Sequence, residues 1–158
     1  MNVGKITLAA VWIAIAATMF LLADRALHPN RLSELGEGHS VTLQRGLDGH
    51  YRTEALINGI KVSALVDTGA SGVAIPSSLA DRLGLHSGTA VRTRTANGDA
   101  VAYMTRLDSV RIGGVEARDV AAMITPGLSG EVLLGMSFLG RMDVRLYQGT
   151  MTITQVEP

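Results

Sequence analysis

Asp67 is the carboxylate of this 158-residue chain whose surroundings are hardest to explain as ordinary surface chemistry. It closes the apolar run Ala64-Leu65-Val66 and opens Thr68-Gly69-Ala70-Ser71. Asp-Thr-Gly alone can be turn chemistry, with Asp accepting local amide hydrogen bonds and Gly supplying an unusual φ. At average composition, with Gly at about 7%, the tripeptide arises by chance in only a few per cent of chains this long, and requiring two apolar residues before it and a small one after lowers that to roughly one in a thousand. A carboxylate held this way does useful chemistry when a second one faces it. Two carboxylates within hydrogen-bond distance cannot both ionise, so they share a proton; one then acts as base on a water and the other as acid toward a carbonyl.

Other constellations fall short. Gly135-Met136-Ser137-Phe138-Leu139 approaches the nucleophile elbow G-x-S-x-G but lacks its last Gly, and no His follows to complete a triad in that order. Gly36-Glu37-Gly38-His39-Ser40-Val41 misses the third Gly of a dinucleotide fingerprint and follows no strand. The histidines, His28, His39, His50 and His86, have no metal-ligand spacing, and Asp48, Asp99, Asp108, Asp119 and Asp143 read as turn or surface carboxylates. No metal and no cofactor is expected. The absence of Cys removes disulfides, thiolate zinc sites and cysteine nucleophiles. Fourteen basic and fourteen acidic side chains give zero net charge, with the basic ones scattered, which disfavours a nucleic-acid partner.

The elements that must position Asp67 are strands. Runs at 41–44, 51–57 and 60–66, the last two joined by Asn58-Gly59, lead into the Asp-Thr-Gly turn. After it come a short run at 73–75 with Pro76, and a helix expected over 77–85, capped by Ser77 or Ser78 and stopped by Gly84. Hairpins are expected from 90–95 with 100–105 around Asn97-Gly98, and from 110–112 with 115–124 around Gly113-Gly114. The apolar run 132–134, a short helix at 136–139, and strands 142–147 and 150–154 complete the chain. Many short strands with one or two small helices predict an all-β, closed or sandwiched antiparallel fold.

Leu65-Val66-Asp67-Thr68-Gly69-Ala70 resembles the active-site motif of the retropepsin-like (retroviral-type) aspartic proteases, and Val132-Leu133-Leu134-Gly135 followed by a short helix resembles that family's second signature. The membrane-anchored bacterial branch, with Leu-Gly-Met-Ser-Phe-Leu near its end, is the nearest likeness. The resemblance implies a retropepsin-like domain over 40–158 in which Asp67 is catalytic. Thr68, Gly69, Ala70, Leu134 and Gly135 would support the active-site loop, and Ala96, Asn97 and Gly98 would form the tip of a substrate-covering flap. About 118 residues with one Asp-Thr-Gly cannot hold both lobes of a pepsin-like monomer, so a homodimer is implied, its twofold axis supplying the second Asp67. Such dimers share a sheet of terminal strands, which makes 150–154 an expected interface. The partners expected are a second copy and a peptide or protein substrate. The competing reading is a non-catalytic module on the same fold that grips a peptide by β-augmentation.

Ahead of this domain, residues 6–23 carry no charge, and 18 helical residues span about 27 Å against a hydrocarbon core of about 30 Å. The run exceeds a signal-peptide apolar stretch and lacks an A-x-A-like site, so 1–23 is expected to be an uncleaved transmembrane anchor and 24–39 a linker with at most one helical turn near 31–35. Lys5 and the terminal amine nearly balance Arg25 and Arg31. An inner-membrane, single-pass placement with the protease domain in the periplasm is chosen on functional grounds.

Overall fold

The computed structural model describes residues 3–27, 38–95, 98–156 of the chain. The expected turn of helix at 31–35 and the flap-tip residues Ala96 and Asn97 lie outside the described residues.

Helix α1 (Val3–Leu27) carries charge only near its ends, at Lys5, Asp24 and Arg25, and its stretch Leu8–Leu27 is long and apolar enough to cross a membrane and buries nothing against the other described residues. It extends beyond the expected segment because Asp24-Arg25-Ala26-Leu27 holds no breaker; Pro29 comes two residues later.

Among the described residues ten strands follow: β1 (Ser40–Gln44), β2 (Tyr51–Ile57), β3 (Ile60–Val66), β4 (Val73–Pro76), β5 (Ala90–Thr95), β6 (Gly98–Ile112), β7 (Val115–Thr125), β8 (Val132–Leu134), β9 (Met142–Tyr147) and β10 (Thr150–Gln155), with short helices α2 (Ser77–Ala80) and α3 (Met136–Leu139). One sheet runs β2-β3-β8-β4-β7-β6-β5, and an additional β2–β6 pairing closes six of its strands on themselves. The all-β, closed architecture is therefore as expected. Two ladders are parallel, β3 with β8 and β4 with β7; both adjoin the Asp-Thr-Gly loop. A small sheet, β1-β10-β9, packs beside the closed one.

Leu43, Ile57, Ile75, Leu107, Ile112, Leu134, Phe138 and Ile153 are among the fully buried side chains, so strands of both sheets and α3 share one core. Burial of each such side chain contributes roughly 1.5–3 kcal/mol.

Three details differ from the sequence reading. The runs at 100–105 and 110–112 belong to one strand, β6, because Arg106 and Asp108 point outward while Leu107 between them is fully buried. The helix from Ser77 has no serine cap; Pro76 occupies that position with no side-chain cap bond. It is also shorter than the expected 77–85, ending at Ala80; turns carry the chain on to Gly84, whose φ of +64° lets Leu85 N–H return to Ala80 O at 3.0 Å. The third concerns β10. It lies between β1 and β9, in register with both, so its backbone is used on each side within the protomer and cannot receive a partner strand. The expectation of a shared sheet through 150–154 is thereby corrected.

Candidate active site

Asp67 follows the last residue of β3 and is half-buried, while Thr68 and Gly69 are exposed. Its backbone N–H donates to Leu134 O at 3.1 Å, continuing the β3–β8 ladder by one residue. Its side chain accepts through Oδ1 from Gly69 N–H at 2.8 Å. A Cβ at position 69 would lie 3.2 Å from that same oxygen. Glycine here lets the amide approach the carboxylate. The loop then turns back, with Ala70 N–H donating to Asp67 O at 3.3 Å.

Beneath it runs the second expected element. Leu134 is fully buried at the end of β8, and Ala70 O accepts from Met136 N–H at 2.8 Å. Between them Gly135 meets the loop so closely that a Cβ would stand 2.3 Å from Gly72 O and 2.6 Å from Ala70 O. β8 also touches both strands that the loop joins, pairing β3 in parallel and β4 at Ala74↔Leu133. Asp67 is thus held by a crossing of three strands and a glycine contact. Asp67, Thr68, Gly69, Ala70, Leu134 and Gly135 are brought together. Gly98 instead lies at the far end of the β5–β6 hairpin, opposite Thr95.

Ser137 was missed as a support residue. Considered only as a nucleophile without a base, it proves to be a brace: its Oγ accepts from Val73 N–H at 2.9 Å and donates to Ala121 O at 2.8 Å. It thereby fastens α3 to the strand leaving the loop and to β7. The signal was present, because a hydroxyl among Met136, Phe138 and Leu139 needs a polar partner once buried. Further along, Arg141 donates to Arg118 O (2.6 Å) and Asp119 O (3.1 Å), and Arg106 beside Asp119 holds that carboxyl below its ordinary value. Ser137→Ala should leave Val73 N–H and Ala121 C=O unpaired and cost about 1–3 kcal/mol. Denaturant midpoints compared at equal m-value measure this; an unchanged midpoint would deny the brace.

Residues 53–141 match the model of the gag-polyprotein putative aspartyl protease family. A solved structure described as a retropepsin-like aspartic protease from Rickettsia conorii is similar at TM-score 0.64 and 31% identity, over 73% of this chain and 91% of that one. Two curated relatives are an uncharacterised protein in the cobV 5′ region of Sinorhizobium sp, 38% identical over 108 residues, and uncharacterised protein RP867 of Rickettsia prowazekii (strain Madrid E), 37% identical over 112. These stretches cover 66% and 69% of this chain but 46% and 47% of the relatives, so the chain spans about half their length. On the family match across more than half its residues, joined to the Asp67 loop and its Gly135 support, the chain belongs to the retropepsin-like aspartic protease family.

Proposed function

We propose that this chain is a membrane-tethered aspartic endopeptidase whose dyad is made of Asp67 from each of two copies. The observation that carries the reading is the placement of one half-buried carboxylate in a loop whose next two residues are exposed, fixed from below by Leu134, Gly135 and Met136. Such a loop offers its carboxylate to a second copy while its backbone stays fixed.

With the two side chains in contact, one proton is shared between them. The ionised member takes a proton from a water, the resulting hydroxide adds to the scissile carbonyl, and the protonated member donates to the carbonyl oxygen. Collapse of the tetrahedral intermediate passes a proton to the leaving amine and frees the dyad. An extended substrate would lie beneath the β5–β6 hairpins, with Ala96, Asn97 and Gly98 at their tips. Thr68 would hydrogen-bond across the twofold axis. Hydrolysis of a denatured protein by the full-length chain, blocked by a pepstatin-type transition-state mimic, tests this reading; peptide capture without cleavage would favour the β-augmentation module instead.

Helix α1 would hold the enzyme in the inner membrane, with the β domain in the periplasm. Alkaline phosphatase fused after Pro158 is then expected to be active. An inactive phosphatase together with a fluorescent cytoplasmic reporter at the same junction would reverse the orientation.

A further inference from the structure

β10 has no free edge, yet a site with one Asp67 is incomplete without a second copy. The small sheet has two outer strands. β1 has the sequence Ser-Val-Thr-Leu-Gln, and its two apolar side chains, Val41 and Leu43, are buried. Nothing on it selects a partner or a register. β9 is different, since Leu146 is 56% and Tyr147 73% exposed, and Asp143 and Arg145 carry opposite charges on one face.

The direction of the β9 backbone follows from its hairpin. Gln148 (φ 45°) and Gly149 (φ 79°) make a two-residue left-handed turn between Tyr147 and Thr150. Such a turn closes on a hydrogen-bonded pair, and pairs then alternate along the ladder. Tyr147, Arg145 and Asp143 therefore spend their amides and carbonyls on β10. Val144 and Leu146 turn theirs to the open edge.

Resting on the homodimeric reading above, we infer that β9 is the dimer seam, paired antiparallel with β9 of a second copy, with Val144 opposite Val144, to make one six-stranded sheet. Charge selects this register. It sets Asp143 opposite Arg145 of the second copy twice over, in non-hydrogen-bonded pairs where side chains approach most closely. Setting Val144 against Leu146 would place Arg145 against Arg145, like charge on like. Setting Leu146 against Leu146 would leave Asp143 opposite the turn at Gly149. In the chosen register Leu146 lies opposite Met142, which is 8% exposed, so the overhanging Leu146 caps the second copy's core. The Arg145–Asp143 ion pair within each chain, at 2.9 Å, becomes part of a four-charge cluster of alternating sign. The seam also begins just after α3, the helix that fastens Gly135 and Ser137 beneath the Asp67 loop.

The test uses the full-length chain in detergent, with self-association followed by sedimentation and hydrolysis assayed separately. Asp143→Arg alone places Arg against Arg, and Arg145→Asp alone places Asp against Asp. Each variant should associate at least about tenfold more weakly than wild type. Their equimolar mixture should dimerise like wild type, because each mixed pair is complementary again. A rescue of this kind cannot come from the ion pair within one chain. Circular dichroism of each variant alone checks that the strands are retained. As an independent readout, Val144→Cys, the sole cysteine of its chain, should join two copies through a short thiol-reactive linker. Wild-type association in both single variants, a mixture no more dimeric than its parts, or no Val144→Cys cross-link would overturn the seam. Hydrolysis reports on the dyad separately: intact cleavage with association undisturbed in both variants removes the seam and keeps the protease. The full association pattern without cleavage keeps the seam and counts against the protease.

Discussion

Asp67→Asn is expected to give a folded protein that associates as wild type does and hydrolyses peptides at least about 1,000-fold more slowly. Folding should survive because the amide oxygen of Asn can still accept from Gly69 N–H, now 2.8 Å from Oδ1, while the backbone bond to Leu134 O is untouched. Activity should fail because an amide can neither take a proton from water nor share one with a facing carboxylate. Asp67→Ala would be a poorer test. It removes the acceptor of the Gly69 amide as well as the acid, so lost activity could reflect a loosened loop. Thermal melts and single-turnover cleavage on Asp67→Asn separate the two, and substantial turnover would remove Asp67 from the proposed chemistry.

The largest effect on stability is expected at Gly135. A methyl there would stand 2.3 Å from Gly72 O and 2.6 Å from Ala70 O, and both obstacles are main chain, which no side-chain rotation relieves. Either the Asp67 loop or the end of β8 must move. That would break Met136 N–H to Ala70 O and strain Asp67 N–H to Leu134 O. Gly135→Ala should therefore cost more than about 3 kcal/mol, at the upper end of overpacking effects, and lower Tm by about 10 °C or more. Gly127→Ala is the matched control, since nothing lies within 4 Å of its added methyl and its φ is not positive. Equal melting temperatures for the two variants would contradict the close contact beneath the loop.

Much of this fold could be read locally. Asn58-Gly59 pairs Ile57 with Ile60 as its turn chemistry demands, and Gly113-Gly114 likewise pairs Ile112 with Val115, whereas Gly98, expected in a turn, is the first residue of β6 and pairs with Thr95. What was not legible is what depends on distant chain. The parallel ladders join β3 to β8 and β4 to β7 across tens of residues, and no local pattern specifies them. β6 was read as two strands because Arg106 and Asp108 look like a break, although their side chains merely face outward around Leu107. At the site, Asp67 and Gly135 were legible because few residue types could occupy those positions. Ser137 was legible only as a hydroxyl in need of a partner, because the two partners themselves, Val73 N–H and Ala121 C=O, are backbone groups brought to it only by the finished sheet. The place of β10 between β1 and β9 likewise depends on β1, far away in the chain, pairing with its outer side.

The central claim is that two copies of Asp67 make one site, and subunit mixing tests it most directly. Wild type and Asp67→Asn are combined at fixed total concentration, allowed to exchange, and assayed for hydrolysis. With random pairing, only dimers of two wild-type chains are competent, so activity should follow the square of the wild-type fraction and fall to about a quarter at an equimolar mixture. Activity proportional to the wild-type fraction, about half at that mixture with exchange demonstrated, would mean that each chain works alone and would contradict the shared dyad.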